Sequence, residues 1–286
     1  MDDLVGAYEE APFPLARTAT VDTVRIGMTR RHIPVLLEVD VTAAREELAR
    51  RRRAGGDDSF TAWAVACIAR AAAEHKRVHA LRRGRRGLVA FDDVDVSLAV
   101  FRQATGPDRG ERIPMPFVVR RAHVKPVAQI AAEIRSAQTR PLAPGEQWLA
   151  AEGSVPPPRI MRLAFSAPFH LRKWLFWDRL LADPFRVKRT MGTVMVTSVP
   201  LTTRSGTRAW AVPVGIHPLS VALGAVARLR DPERELLSMT VLFDHDVTDG
   251  VPVALFLRRL TELMETAWGL EAESDAGEPH PATMPQ

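Results

Sequence analysis

The sequence predicts an α/β domain built on one large mixed sheet. Three observations carry that reading. β-Branched runs of strand length alternate with segments of helical periodicity along most of the chain. Hydrophobic residues at 46% and charged residues at 26% are globular proportions, over a length of 286 residues that suits a single large domain. No stretch approaches the roughly 18 uninterrupted apolar residues of a membrane span.

The elements follow in order. Ile33-Pro-Val-Leu-Leu-Glu-Val-Asp-Val41 reads as a strand from its β-branched and leucine-rich content. Thr42 to Arg53 is helical in composition and stops at Gly55-Gly56. Ser59 is placed to cap a long helix, Phe60 to His79, in which Phe60, Ala64, Cys67, Ile68 and Ala71 share one face. Strands are expected at Leu88 to Phe91, Val94 to Phe101 and Met115 to Val119, before a helix from Val127 to Thr139. The Pro-rich stretch from Pro141 to Pro158 reads as a surface connection.

Ile160 to Leu181 is apolar, basic and aromatic, with Trp174, Phe176 and Trp177, and Pro168 divides it in two. It fits a helical pair packed on the main body or on a neighbouring subunit. It also fits a peripheral membrane or partner-docking helix across residues 160–182. Further strands are expected at Thr193 to Val199, Ala209 to Val214, Ser220 to Ala227 and Leu236 to Phe243, then a helix from Val251 to Trp268. The organisation expected is an N-terminal arm over 1–20, one domain over 21–270 and a polar, Pro-rich, disordered tail over 271–286.

Composition narrows function. Cys67 is the one cysteine, so neither an intrachain disulfide nor a cysteine-rich zinc site can form, and a reducing, cytoplasmic setting fits. The acidic stretch from Met1 to Pro14 lacks the parts of a signal peptide. Thirty-five Arg stand against only Lys76, Lys125, Lys173 and Lys188, for a net charge of +5. Without a helix-turn-helix, an aromatic RNA platform or a metal finger, that excess does not indicate nucleic-acid binding. His32, His79, His123, His170, His217 and His280 are scattered without metal-ligand spacing, and no metal is expected.

The chemistry concentrates in Leu242-Phe-Asp-His-Asp-Val-Thr-Asp-Gly250. A strand delivers His245 to its end, where backbone pairing holds it while its ring faces a cleft. Four residues on, Asp249 is placed to brace the turn through an ion pair, and Gly250 permits a close or left-handed backbone turn. Taken alone, the pattern fits a solvated turn with an incidental histidine equally well.

Phe243-Asp-His-Asp-Val-Thr-Asp-Gly250, with Leu255-Phe-Leu-Arg-Arg-Leu-Thr-Glu-Leu263 after it, resembles the active-site segment of the catalytic domain of 2-oxoacid dehydrogenase dihydrolipoamide acyltransferases. Ile33 to Val41 is similar to the family's early strand, and Ser59 to Ala80, including His75, to its long helix. Phe117-Val-Val-Arg120 through Ile130-Ala-Ala-Glu-Ile134 follows its strand and helix in order, and Gly192-Thr-Val-Met-Val-Thr-Ser198 resembles its Gly-Thr strand. The likeness spans roughly residues 21 to 268. It implies a chloramphenicol acetyltransferase-like two-layer α/β sandwich, a large mixed sheet covered by helices.

The resemblance also implies a CoA-dependent acyltransferase that moves an acyl group between coenzyme A and a thiol such as dihydrolipoamide. His245 would be the general base and Thr197 the oxyanion donor, contributed by the neighbouring subunit of a trimer. Ser198 should point to the opposite face. Asp249 matches the family aspartate that pairs with an arginine, for which Arg25 is the candidate. Asp246, Ser198 and Arg120 are the candidate substrate contacts.

Departures from the family set further expectations. Asp246 stands where the family usually has arginine, and Arg121 and His123 stand where it has aspartates, a basic change that suits the phosphates of coenzyme A. About 20 residues precede the matching region, with no fit to a lipoyl domain, so a lipoyl or acyl carrier group would come from another chain. The ending lacks the family's apolar anchor, so a free homotrimer is expected. A non-catalytic trimeric scaffold and an acyltransferase acting on a hydroxyl or amine are the alternatives.

Overall fold

The computed structural model describes residues 6–10, 13, 17–103, 112–140, 163–198, 206–230 and 233–270. Helix α1 (Arg17–Gly27) leads into strand β1 (His32–Asp40). Helices α2 (Thr42–Arg53) and α3 (Phe60–Glu74) follow, then a hairpin of β2 (Leu81–Arg83) and β3 (Gly87–Val89). Next come β4 (Val96–Gln103), β5 (Arg112–Val119) and α4 (Val127–Thr139). Helix α5 (Phe169–Arg172) runs through a π-helical turn (Lys173–Trp177) into α6 (Asp178–Leu181), and α7 (Pro184–Met191) follows. The chain then forms β6 (Val194–Ser198), β7 (Leu219–Arg230), β8 (Glu233–Asp244) and α8 (Gly250–Glu265).

Six strands make one mixed sheet in the order β1-β8-β7-β6-β4-β5. β6 runs parallel to both β4 and β7, and the remaining pairs are antiparallel. Strand alternation divides the sheet into two faces. Val39, Val96, Val194, Val196, Leu219, Val221, Met239, Val241 and Phe243 meet the helices in one core. α3 lies deepest in it. Ala62 to Ala69 are all buried, so the single apolar face expected for this helix is replaced by burial nearly all round. The reason is its position between the sheet and helices α4 and α8.

The opposite face carries Ser97, Thr197, Ser220, Ser238, Thr240 and Asp244, and part of it is crossed by residues 206–218. A strand was expected at Ala209 to Val214, and none forms. Pro213 lacks an N–H, and the segment crosses the sheet instead of running along it. It is held by single bonds, from the Trp210 Nε1 to the Leu37 carbonyl at 3.2 Å and from the Ala225 amide to the Ala209 carbonyl at 3.0 Å. A Cβ on Gly224 would stand 2.3 Å from the Ala209 oxygen, so only glycine admits the crossing. Gly192, at φ 73°, similarly lets the entry to β6 pass Asp95, whose carbonyl oxygen would lie 2.5 Å from an added Cβ.

Other boundaries shift. α3 ends at Glu74 and a 3-10 turn (Lys76–His79) replaces its last turn, because His75 leaves helical geometry at φ −125°. α1 runs across the boundary expected at residue 20. The whole Pro141 to Pro158 connection and the whole 271–286 tail lie outside the described residues.

The aromatic segment packs against the body. Arg172 forms two bonds with the Asp22 carboxylate, at 2.6 and 2.7 Å, and Trp177 Nε1 adds a third at 3.4 Å. Ile26, Trp177, Leu180 and Ile216 form a small apolar cluster beneath this ion pair. None of the described helices is long and apolar enough to cross a membrane.

Candidate active site

The turn joining β8 to α8 is fixed through its backbone. The register of β1 against β8 places His32 opposite Asp244, and the ladder continues one step further through the His245 amide to the Arg31 carbonyl at 3.0 Å. Asp244, 2% exposed, accepts the Asp246 amide at 3.0 Å on one carboxylate oxygen and Arg30 at 3.5 Å on the other. Its carbonyl accepts the amides of Val247 and Thr248. His245 itself is exposed at the strand end, on a backbone held from both sides.

Asp246, the residue in place of the family arginine, is neutralised. It pairs with Arg31 at 2.5 Å and lies 3.6 Å from Arg82 of the β2–β3 hairpin. The turn is thereby tied to the start of β1 and to the hairpin. Sequence reasoning missed Asp244, Arg31 and Arg82. The register of β1 against β8 brings Arg31 and Asp244 to the turn, and the packing of the β2–β3 hairpin brings Arg82, neither of which a linear reading supplies.

Asp249 occupies the N-cap position of α8, yet its carboxylate caps no amide and forms no ion pair among the described residues. The expected Arg25–Asp249 pair is absent. Arg25 instead stacks on the Phe169 ring, 5.1 Å from its centroid, because α1 faces the α5–α6 segment. Gly250 also departs from expectation, since its φ is not positive and an added Cβ would meet nothing within 4 Å. Both residues are exposed.

Thr197 and Ser198 stand at the far end of β6. Thr197 is half-buried on the sheet face opposite the core, and Ser198, next along the strand, is exposed. Thr197 pairs with Ala222, and Ala222 with Thr240. Asp244 lies four residues beyond Thr240 on β8. That is about 13 Å along the sheet and about 10 Å across two strand spacings. His245 and Thr197 are therefore roughly 16 Å or more apart in one chain, and one copy does not bring them together.

Arg120 is committed elsewhere. Its guanidinium bonds the carbonyls of Lys188 and Arg189 at the end of α7 and the Asp95 carboxylate at 3.3 Å. Asp95 also accepts Lys188 at 2.9 Å and the Arg121 amide at 2.9 Å. Burial opposes ionisation there, but the Lys188 ammonium and that amide hold the carboxyl below its usual range.

Two buried histidines support the same end of the sheet. His217 bonds the Met191 carbonyl and its own carbonyl meets His32, both at 2.9 Å, while His79 meets the Thr193 hydroxyl at 2.9 Å. Burial pushes the pKa of each down to about 4, with Lys188 adding to the effect at His79. Among the described residues, no group of three or more His, Cys, Asp or Glu is arranged to hold a metal.

No family model and no curated protein matches the sequence. Solved structures do. The dihydrolipoamide acetyltransferase of Azotobacter vinelandii aligns over 94% of this chain and 96% of its own, at 17% identity and a TM-score of 0.61. A probable dihydrolipoamide acetyltransferase from Listeria monocytogenes aligns over 95% and 99%, at 15% identity and 0.61. The truncated catalytic core of a 2-oxoacid dehydrogenase complex from Thermoplasma acidophilum aligns over 91% and 99%, at 15% identity and 0.59. The chain has the fold of the catalytic cores of the dihydrolipoamide acyltransferases.

Proposed function

We propose that this protein is an acyltransferase that works as a homotrimer and moves an acyl group between coenzyme A and a thiol such as dihydrolipoamide. One observation carries the reading. His245 stands exposed on a rigid turn while Thr197 lies roughly 16 Å away on the open sheet face, so the pair becomes a site only when a second copy supplies one of them. The Azotobacter vinelandii enzyme, for whose catalytic mechanism a serine, a histidine and an asparagine have been investigated, has the asparagine four residues after the histidine. Its serine precedes the histidine by 52 residues, against 48 from Thr197 to His245 here.

In the forward step the His245 imidazole takes the thiol proton as the sulfur attacks the thioester carbonyl. A thiol near pKa 8.5 is mostly protonated at neutral pH, so a positioned base raises its reactivity during attack. The tetrahedral oxyanion accepts a hydrogen bond from the Thr197 hydroxyl of the adjoining subunit. Collapse breaks the bond to the leaving sulfur, and the imidazolium returns the proton to that thiolate. The exposure of Asp249 and Gly250 leaves room for the adjoining subunit. The missing Arg25–Asp249 brace favours the alternative of a non-catalytic scaffold on the same fold.

Acyl transfer from a panel of acyl-coenzyme A thioesters to free dihydrolipoamide tests the reading. His245→Ala should lower turnover at least 1000-fold with the trimer intact. Co-expressed His245→Ala and Thr197→Ala chains should recover about a quarter of wild-type activity, the share of interfaces that pair an intact histidine with an intact threonine in a randomly mixed trimer. Wild-type turnover that survives His245→Ala, or mixed trimers no better than either parent, would refute the shared site. A folded wild-type trimer inactive with every donor would favour the scaffold.

A further inference from the structure

The helix that runs from Phe169 through the π-helical turn to Leu181 has two unlike sides. Toward the body it presents Phe169, Trp177, Leu180 and Leu181 to Ile26 and Ile216, with Arg172 bound to Asp22. Leu171, Trp174, Leu175 and Phe176 are between 43% and 58% exposed and join neither buried apolar cluster. Leu171, Trp174 and Leu175 follow the i, i+3, i+4 spacing of one helix face, so the packing that fixes the inner side also holds this stripe outward.

The surroundings are basic. From Leu163 to Met191 the chain has Arg172, Lys173, Arg179, Arg186, Lys188 and Arg189 against Asp178 and Asp183. Arg179 is exposed and lays its guanidinium 5.2 Å from the centroid of the Trp174 ring, which sets a permanent positive charge at the edge of the stripe.

Size and charge together select the partner. The four apolar side chains expose on the order of 400 Å², about half of what one partner gives to a stable protein interface. A shallow apolar stripe edged by cations instead complements a bilayer surface, where acyl chains meet anionic headgroups. The helix is about 20 Å long, too short to span a bilayer and long enough to lie along its boundary.

We propose that the outer face of α5–α6 is an interfacial anchor that seats this protein on an anionic phospholipid bilayer, with Leu171, Trp174 and Leu175 inserted and Arg179 at the phosphates. The docking does not depend on the acyl-transfer reading, and it is measured without turnover.

Co-sedimentation of the full chain with vesicles tests it, using phosphatidylglycerol mixed with phosphatidylcholine against phosphatidylcholine alone. At low salt the anionic vesicles should bind at least about 10-fold more tightly than the neutral ones, and added salt should narrow the gap. Trp174→Glu/Leu175→Glu should weaken binding to the anionic vesicles at least about 10-fold, with melting temperature and oligomeric state unchanged. Arg52→Ala/Arg53→Ala, at exposed positions of α2, removes the same net charge from another helix. That control should change binding less than about twofold.

Four results overturn the proposal. Binding to neither vesicle removes the membrane, and equal binding to both removes the role of charge. Equal losses in the two double variants would reduce the contact to the general attraction of a basic protein. An oligomer that dissociates in Trp174→Glu/Leu175→Glu would assign the stripe to a second copy of this chain.

Discussion

The turn at residues 244–250 and the contact between α1 and α5 use similar polar side chains in opposite ways. In the turn the backbone is bonded at step after step, while His245 and Asp249 are left exposed and the Asp249 carboxylate has no partner among the described residues. In the contact, Asp22 is 1% exposed and saturated by Arg172 and Trp177. The contrast teaches where chemistry is available. A carboxylate saturated by a guanidinium and an indole holds two elements together, whereas an imidazole free on a fixed backbone can meet a reacting group.

The comparison can be broken from either side. Asp22→Ala should be the costliest change to stability, about 3–5 kcal/mol, because it strands a largely buried Arg172 cation. Urea unfolding reads this, and a loss under 1 kcal/mol would show that the contact is ornamental to the fold. Thr197→Ala should leave stability nearly unchanged and lower kcat roughly 10- to 1000-fold, with KM for acyl-coenzyme A little altered. An unchanged kcat would remove Thr197 from the chemistry.

Smaller effects come from the buried histidines. His79 and His217 have folded pKa values near 4, below the ordinary 6.5, so each favours the neutral form in the fold. Their contribution is complete above about pH 6.5 and is lost as pH falls toward 4. Stability should decline by up to about 1.4 kcal/mol per pH unit for each across that window. Denaturant midpoints at pH 7.5, 6 and 5 check it, and equal midpoints would contradict the burial assigned to these rings.

Much of the fold was legible along the chain. α2 and α4 match the expected residues, and Ser59 caps α3 by accepting the Ala62 amide at 3.1 Å. These features depend on local periodicity and capping, which a linear reading contains. The failures share a different cause. Ala209 to Val214 has strand composition but crosses the sheet, and Arg25 has the right charge for Asp249 but faces Phe169. In both cases the partner was chosen by a distant element.

By itself the sequence determined the α/β class, the main strands and helices, and the His245-to-Gly250 motif, because those follow from side-chain pattern over a few residues. Only the tertiary structure decided that Asp246 is neutralised by Arg31 and Arg82, that Arg120 secures the end of α7, and that His245 and Thr197 lie far apart on one sheet. Strand order and register set those distances, and both arise from pairing between segments remote in the chain.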